Sequence, residues 1–318
     1  MDVAVVGLGL IGGSLLRALA AAGHRVTGYD ADPATRSLAA AEFPIAETVA
    51  AAVAGTELVA LAVPLPALPG VLDQLAGYPG LVTDVTSVKG PVRDLAVVHE
   101  VRRYVGGHPM AGRETSGFAA ADPDLFAGCA WVLCLETHGT NLDDWLTLAT
   151  MYTALGARVV PITATEHDRA VAEVSHVPHL LASALTRVLV ENPLAATLAA
   201  GSFRDGTRVA ATRAELIAAM CGGNAAEVRN ALSGVIEDLH VMLDELDTMD
   251  PVKSLTPGLL ITGEARRAWP PRPGEPGQAR ADVLELLALG RAGGWVTGVA
   301  ENRATVRTMR PETDRIAP

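Results

Sequence analysis

The sequence predicts an α/β fold: a doubly wound parallel sheet in the first half, an all-helical second half and a short helix–hairpin tail. Three observations carry that expectation. Short apolar runs of strand type alternate with helical periodicity up to Val160, the spacing turns helical throughout from Thr163, and a Pro/Gly-rich stretch at 266–281 sets off the tail. The expected domains are therefore 1–162, 163–265 and 266–318.

Asp2–Val6 reads as the first strand, and Gly7-Leu8-Gly9-Leu10-Ile11-Gly12-Gly13 follows at once. Ile11, Leu15, Ala18, Leu19 and Ala22 then fall at helical spacing, with Gly23 as a C-terminal cap. In such a strand–turn–helix unit Gly7 permits the tight turn, Gly9 lets a pyrophosphate approach the backbone, and Gly12 allows close helix–strand packing. The helix start offers N–H donors and the positive end of a dipole to phosphates. A second strand, Arg25–Tyr29, ends in Asp30, 21 positions after Gly9, where a carboxylate can accept from a ribose 2′-hydroxyl. This is the pattern of a Rossmann dinucleotide site. Asp30 would repel a 2′-phosphate, so the expected cofactor is NAD; Arg36 is the one neighbour that argues for NADP. Leu10, Ile11, Val63 and Ser87 complete the expected cofactor lining.

Further strands are expected at Leu58–Val63, Leu81–Val85, Arg102–Val105, Ala130–Leu135 and Arg158–Val160, with a helix over Leu142–Leu155. Pro64 and Pro66 turn the chain after the first of these. Two turns at the carboxyl edge of the sheet stand out, because ligands of open α/β sheets bind at that edge. Thr83–Gly90 holds Ser87 and Lys89; Ser87 reads as a helix N-cap, which leaves a second role for its hydroxyl open. Gly106-Gly107-His108-Pro109-Met110-Ala111-Gly112 suits neither a helix interior nor a central strand, and it holds a histidine on a turn after Tyr104-Val105.

The second half is helical. Thr165-Glu166-His167-Asp168 resembles a capping box with Asp in its fourth position. In Ser175-His176-Val177-Pro178-His179 the proline should kink a helix, with His176 and His179 on one face. A zinc pair there lacks a placed third ligand, so no metal is expected. Asn192-Pro193 opens another helix, Gly201–Arg208 reads as a loop, and Thr212–Glu215 and Asn224–Glu227 are capping boxes of helices ending near Cys221 and Asp247. The last of these carries an apolar stripe of Val228, Leu232, Val235, Leu239, Met242 and Leu246, the kind of face that packs on partner helices. In the tail, Asp282–Arg291 reads as a helix and Trp295–Val299 with Ala304–Met309 as a hairpin, expected to dock on the body.

A chain of 318 residues, 49% apolar and 19% charged, can bury a substantial core. The net charge of −11 argues against nucleic acid and means an anionic ligand needs a local basic cluster. Of 25 basic residues only Lys89 and Lys253 are lysine. No apolar run reaches the roughly 18 residues of a membrane span, so a cytoplasmic protein is expected. Cys129, Cys134 and Cys221 show no metal spacing and read as inert thiols.

With Gly7–Gly13, Asp30, Ser87-Val88-Lys89-Gly90, Gly106–Gly112 and Ser175–His179 in this order, the chain resembles the prephenate/arogenate dehydrogenase family over about residues 1–265. The resemblance implies NAD-dependent oxidative decarboxylation of prephenate to 4-hydroxyphenylpyruvate in tyrosine biosynthesis, or of arogenate to tyrosine, or of a 4-amino-4-deoxyprephenate in specialised metabolism. It also implies a helical domain that dimerises. By motif, His108 matches the catalytic histidine that takes the proton of the ring hydroxyl, and Ser87 the serine that bonds the same hydroxyl. Arg208 looks like the arginine that grips a substrate carboxylate, and His179 like a histidine near the substrate side chain; Arg113 and Arg204 would assist. Arg113 stands where many relatives have Thr, and Glu215–Ala219 lacks a tryptophan that some members use near the substrate and in tyrosine inhibition. A β-hydroxyacid dehydrogenase, by resemblance, would need a lysine in the second domain, and 151–250 has none. A nucleotide-sensing regulator would leave Ser87, His108 and Arg208 idle.

Overall fold

The computed structural model describes residues 1–113 and 115–312; the end of the expected tail, 313–318, lies outside them. The chain forms two compact units: 1–168 with 212–223 and 276–310, and 169–211 with 224–275 and 311–312.

The first unit opens with β1 (Asp2–Val6), β2 (Arg25–Tyr29), β3 (Leu58–Leu61), β4 (Leu81–Asp84) and β5 (Tyr104–Val105). They pair in parallel in the order β2-β1-β3-β4-β5; β1 and β3 bury the apolar runs that the sequence supplies, and β4 buries Leu81 and Val82 followed by the polar Thr83 and Asp84. A second, six-stranded sheet follows the order β6-β7-β8-β10-β11-β9, from β6 (Gly107–Pro109), β7 (Ala130–Cys134), β8 (Arg158–Ile162), β9 (Gly277–Arg280), β10 (Trp295–Val299) and β11 (Thr305–Met309). The expectation of one continuous parallel sheet is corrected here. The break falls at Gly106, and the expected strand Arg102–Val105 shrinks to Tyr104–Val105. A Cβ on Gly107 would sit 2.8 Å from the Asp84 carbonyl oxygen, so only glycine lets the chain leave one sheet for the other at this closeness.

The tail docks as expected. Asp282 caps the helix Val283–Arg291 by accepting from Leu284 and Glu285 N–H, and Val296 of β10 pairs with Val159 of β8. In the largest of the buried apolar clusters between the sheets and their helices, Trp131 stacks on Tyr152 at 3.8 Å and Trp145 is fully buried. Burial pushes the Cys129 thiol up to about 11 and the Cys134 thiol higher still, so both stay protonated.

The second unit is helical. Its longest helices are Ala225–Leu246 and Pro251–Ala268. Three expectations need correction. Gly201–Arg208 is no loop: Gly201–Thr207 is an α-helix and Arg208–Ala211 a 3₁₀ turn, both packed on the helix Val177–Thr186, which offsets glycine's poor helical propensity. The register change before Pro178 takes the form of a π-helical stretch, Ala172–His176, and Pro178 then stands in the first turn of the next helix, where no N–H is needed. Asn224 does not close a capping box; its amide donates to Nδ1 of the buried His176 at 3.3 Å. Asn192, by contrast, caps Pro193–Leu198 as expected. Of the apolar stripe, Val228 is buried, whereas Leu239, Met242 and Leu246 are exposed, as are Leu259, Leu260 and Ile261 on the last long helix. Among the described residues no helix is long and apolar enough to cross a membrane.

Candidate active site

The carboxyl ends of β1, β2, β3 and β4 open into one cleft of about 930 Å³ in the first unit. The glycine turn supplies its first wall. Gly7, Gly9, Leu10, Ile11 and Gly12 line the cleft, with Asp30 at the end of β2 and Val63 after β3. A Cβ on Gly12 would collide with the Gly7 carbonyl oxygen, whereas a Cβ on Gly9 would meet no protein atom within 4 Å. Packing therefore explains Gly12 but not Gly9, whose bareness fits a phosphate lying against the backbone. Asp30 Oδ2 accepts from Leu8 N–H at 2.7 Å and Oδ1 from Asp32 N–H at 2.8 Å, which fixes the carboxylate at the rim with lone pairs left for sugar hydroxyls. Arg36 is spent elsewhere. Its guanidinium donates to the Asp30 and Ala31 carbonyls and pairs with Glu47, so it is not presented as a phosphate grip. The lining suits a dinucleotide with a free 2′-hydroxyl.

Ser87, His108 and Arg113 line the same cleft, joined by Arg213, Leu216 and Met220. Ser87 is not the N-cap of the helix Gly90–Val98, a correction to the sequence reading. The cap residue is Lys89, and the Asp168 carboxylate satisfies the first N–H groups, Oδ1 accepting from Lys89 and Oδ2 from Gly90, each at 2.8 Å. His108 is on the edge strand β6 rather than on a turn, opposite Val132 of β7, and the strand fixes its backbone. Arg113 pairs with Asp122, whose carboxyl is held low by the Asp124 N–H and then by that guanidinium.

Beneath this wall lies a buried polar assembly. The fully buried Lys89 ammonium bonds Asp84 and, at 2.6 Å, the Gly107 carbonyl. Asp84 also accepts from the Thr86 N–H and hydroxyl, from the Tyr104 hydroxyl at 2.7 Å and from Gly107 N–H at 3.2 Å. The turn that carries Ser87 and the strand that carries His108 are thus tied to one carboxylate. Behind His108, its Nδ1 lies 2.8 Å from Nε2 of His167, and Nδ1 of His167 lies 2.7 Å from Asp168. The capping box expected at Thr165–Asp168 stands two residues earlier, where Thr163 and Glu166 exchange hydrogen bonds, which releases His167 and Asp168 for these contacts.

Arg208, His179 and Arg204 belong to the second unit. Arg208 opens the 3₁₀ turn, Arg204 lies in the helix before it, and His179 Nδ1 donates to the Val209 carbonyl at 3.2 Å, which orients its ring beside that turn. His176 is buried. A smaller cavity of about 440 Å³ lies behind Lys89, but neither the glycine turn nor Ser87 nor His108 lines it, so the larger cleft is the candidate site. Among the described residues no three His, Cys, Asp or Glu are gathered as metal ligands would be.

Comparison with known proteins agrees with this geometry. The family profile described as prephenate dehydrogenase, nucleotide-binding domain, matches residues 15–161, and that described as prephenate dehydrogenase, dimerization domain, matches 163–253. The chain belongs to the prephenate dehydrogenase family. A structure of a family protein from Corynebacterium glutamicum is 36% identical with a TM-score of 0.79, covering 85% of this chain and 90% of that one. The prephenate dehydrogenase of Aquifex aeolicus, solved with hydroxyphenyl propionate and NAD+, is 26% identical with a TM-score of 0.77, covering 84% and 97%. Over 112 residues the chain is 41% identical to the prephenate dehydrogenase of Lactococcus lactis subsp. cremoris, a match that spans 34% of this chain and 29% of that enzyme.

Proposed function

We propose that this member of the prephenate dehydrogenase family oxidatively decarboxylates prephenate to 4-hydroxyphenylpyruvate with NAD, as a homodimer in cytoplasmic tyrosine biosynthesis. The observation that carries the reading is one cleft holding the glycine turn, Asp30, Ser87 and His108 together. NAD, when bound, accepts the hydride from the ring carbon that bears the hydroxyl. The glycine turn and the helix Leu10–Ala21 would hold its pyrophosphate, and Asp30 its ribose. His108 takes the hydroxyl proton as the C=O bond forms, Ser87 orients that hydroxyl, and departure of CO2 leaves the ring aromatic. Such a base contributes roughly 10²- to 10⁴-fold.

The substrate carries two carboxylates, and a chain of net charge −11 must meet them locally. Arg208 is the proposed bidentate partner, with His179 at the side chain and Arg204 and Arg113 assisting. Replacing Arg208 with Ala should raise KM roughly 10- to 100-fold and leave kcat nearly unchanged, since carboxylate gripping is mostly uniform binding. A fall confined to kcat would remove Arg208 from this role. The reading as a whole is tested by following NAD reduction with prephenate, arogenate and the 4-amino analogue in parallel, and absence of turnover with all three rejects it. The exposed Leu239, Met242, Leu246, Leu259 and Leu260 support the dimer, and light scattering should give twice the chain mass.

A further inference from the structure

We infer that His167 and Asp168 form a positioning relay behind His108 that fixes its neutral tautomer with the proton on Nδ1 and the basic lone pair on Nε2. The inference rests on His108 being the base proposed above, and it follows from counting donors and acceptors along one line of contacts.

The line is anchored at Asp168. Its carboxylate accepts the Lys89 and Gly90 N–H groups, both fixed backbone donors, so an ionised acceptor is what the site selects. Burial pulls this carboxyl up, but the His167 bond and the two N–H groups outweigh it and leave it below the usual range. An acceptor-only oxygen 2.7 Å from His167 Nδ1 requires the proton on that nitrogen. Burial, opposed by Asp168, lowers the pKa of His167, so the ring is neutral and its Nε2 carries a lone pair. The other charged groups acting on His167 are Lys89 and Asp84, which are paired with each other. His108 Nδ1, 2.8 Å from that lone pair, must then be the donor. Its own lone pair is left on Nε2.

One proton moves in the step. The substrate O–H bond breaks, an N–H bond forms at Nε2 of His108, and the new imidazolium strengthens its Nδ1–H bond to His167, which Asp168 polarises in turn. No proton need pass along the line. The logic is that of an orienting carboxylate behind a catalytic histidine, with a second imidazole inserted between them. Because His167 is fully buried, water cannot substitute for it.

The test is Asp168→Asn. Asparagine has one acceptor oxygen where the carboxylate offers two; with that oxygen on the Gly90 side its NH2 faces His167 Nδ1, which reverses both tautomers and puts the proton on the wrong nitrogen of His108, and the spectra below report that orientation. Expected are a fall in kcat of about a hundredfold or more, KM and NAD affinity within a few-fold of wild type, and a shifted pH–rate profile. Histidine ¹⁵N spectra of the free protein should show His108 protonated on Nδ1 in wild type and on Nε2 in the variant. His167→Gln, whose amide oxygen can still accept from His108 Nδ1, should lose less, about tenfold, than His167→Leu, and it carries the test if Asp168→Asn does not fold. A wild-type His108 protonated on Nε2, or equal activity in His167→Gln and His167→Leu, overturns the relay. The spectra need no substrate, so a chain that fails to oxidise prephenate would still report on the relay separately.

Discussion

Replacing His108 with Asn is expected to lower turnover at least about a hundredfold while NAD binding stays within about threefold of wild type. The two halves of this result have separate physical origins. The proposed pyrophosphate and ribose contacts come from the glycine turn and Asp30, which are built on β1, the helix Leu10–Ala21 and β2, whereas His108 stands on β6. The side chain at 108 is held by β6, whose pairing with β7 through Val132 is backbone hydrogen bonding that Asn preserves. Asparagine keeps a polar atom near the ring's position but has no basic nitrogen, so the hydroxyl proton has no acceptor as the C=O bond forms. Ser87, proposed to orient the hydroxyl, should sustain a residual rate. Calorimetric titration with NAD and steady-state kinetics with prephenate measure the two halves. A variant with kcat within tenfold of wild type removes His108 from the chemistry, and a variant that loses NAD binding shows that the cleft itself was disturbed.

The gathering of Gly7, Asp30 and Ser87 in one cleft was legible because each of them follows a strand in sequence. Gly7, Asp30 and Ser87 come directly after apolar runs, and parallel pairing of those runs brings their ends together without any long-range information. The sheet break at Gly106 was not legible, since two glycines in a row also describe an ordinary turn. What decides it is the closeness of Gly107 to the Asp84 carbonyl, a contact between segments 23 positions apart. His167 and Asp168 were hidden in a similar way. Two polar residues after a Thr and a Glu look like a helix cap, and their partners stand 59 positions upstream at His108 and 79 at Lys89. The helix Gly201–Thr207 failed for the opposite reason: its local composition favours a loop, and packing on Val177–Thr186 overrides it. Lys89 alone gave a usable signal, as one of two lysines in an arginine-dominated chain, placed in the turn beside Ser87.

Lys89→Met should destabilise the fold by about 3–5 kcal/mol, the range for removing one partner of a buried ion pair. Methionine matches the aliphatic stem and fills the space, so the loss is electrostatic. The Asp84 carboxylate, fully buried, keeps its Thr86, Tyr104 and Gly107 donors but loses the Lys89 ammonium bonded to it. The Gly107 carbonyl loses its donor in the same stroke and is left buried without that partner. Adding Asp84→Asn removes the stranded charge, so the double variant should recover part of the stability, and a denaturant series on both proteins measures the difference. A single variant within about 1 kcal/mol of wild type would mean the pair does not hold the first unit together. The kinetic consequence is distinct. Because Lys89 bridges the turn of Ser87 to the strand of His108, the folded fraction of Lys89→Met should turn over more slowly than wild type even where NAD binding is unchanged, as expected when the two groups proposed to act on one hydroxyl are no longer held in register.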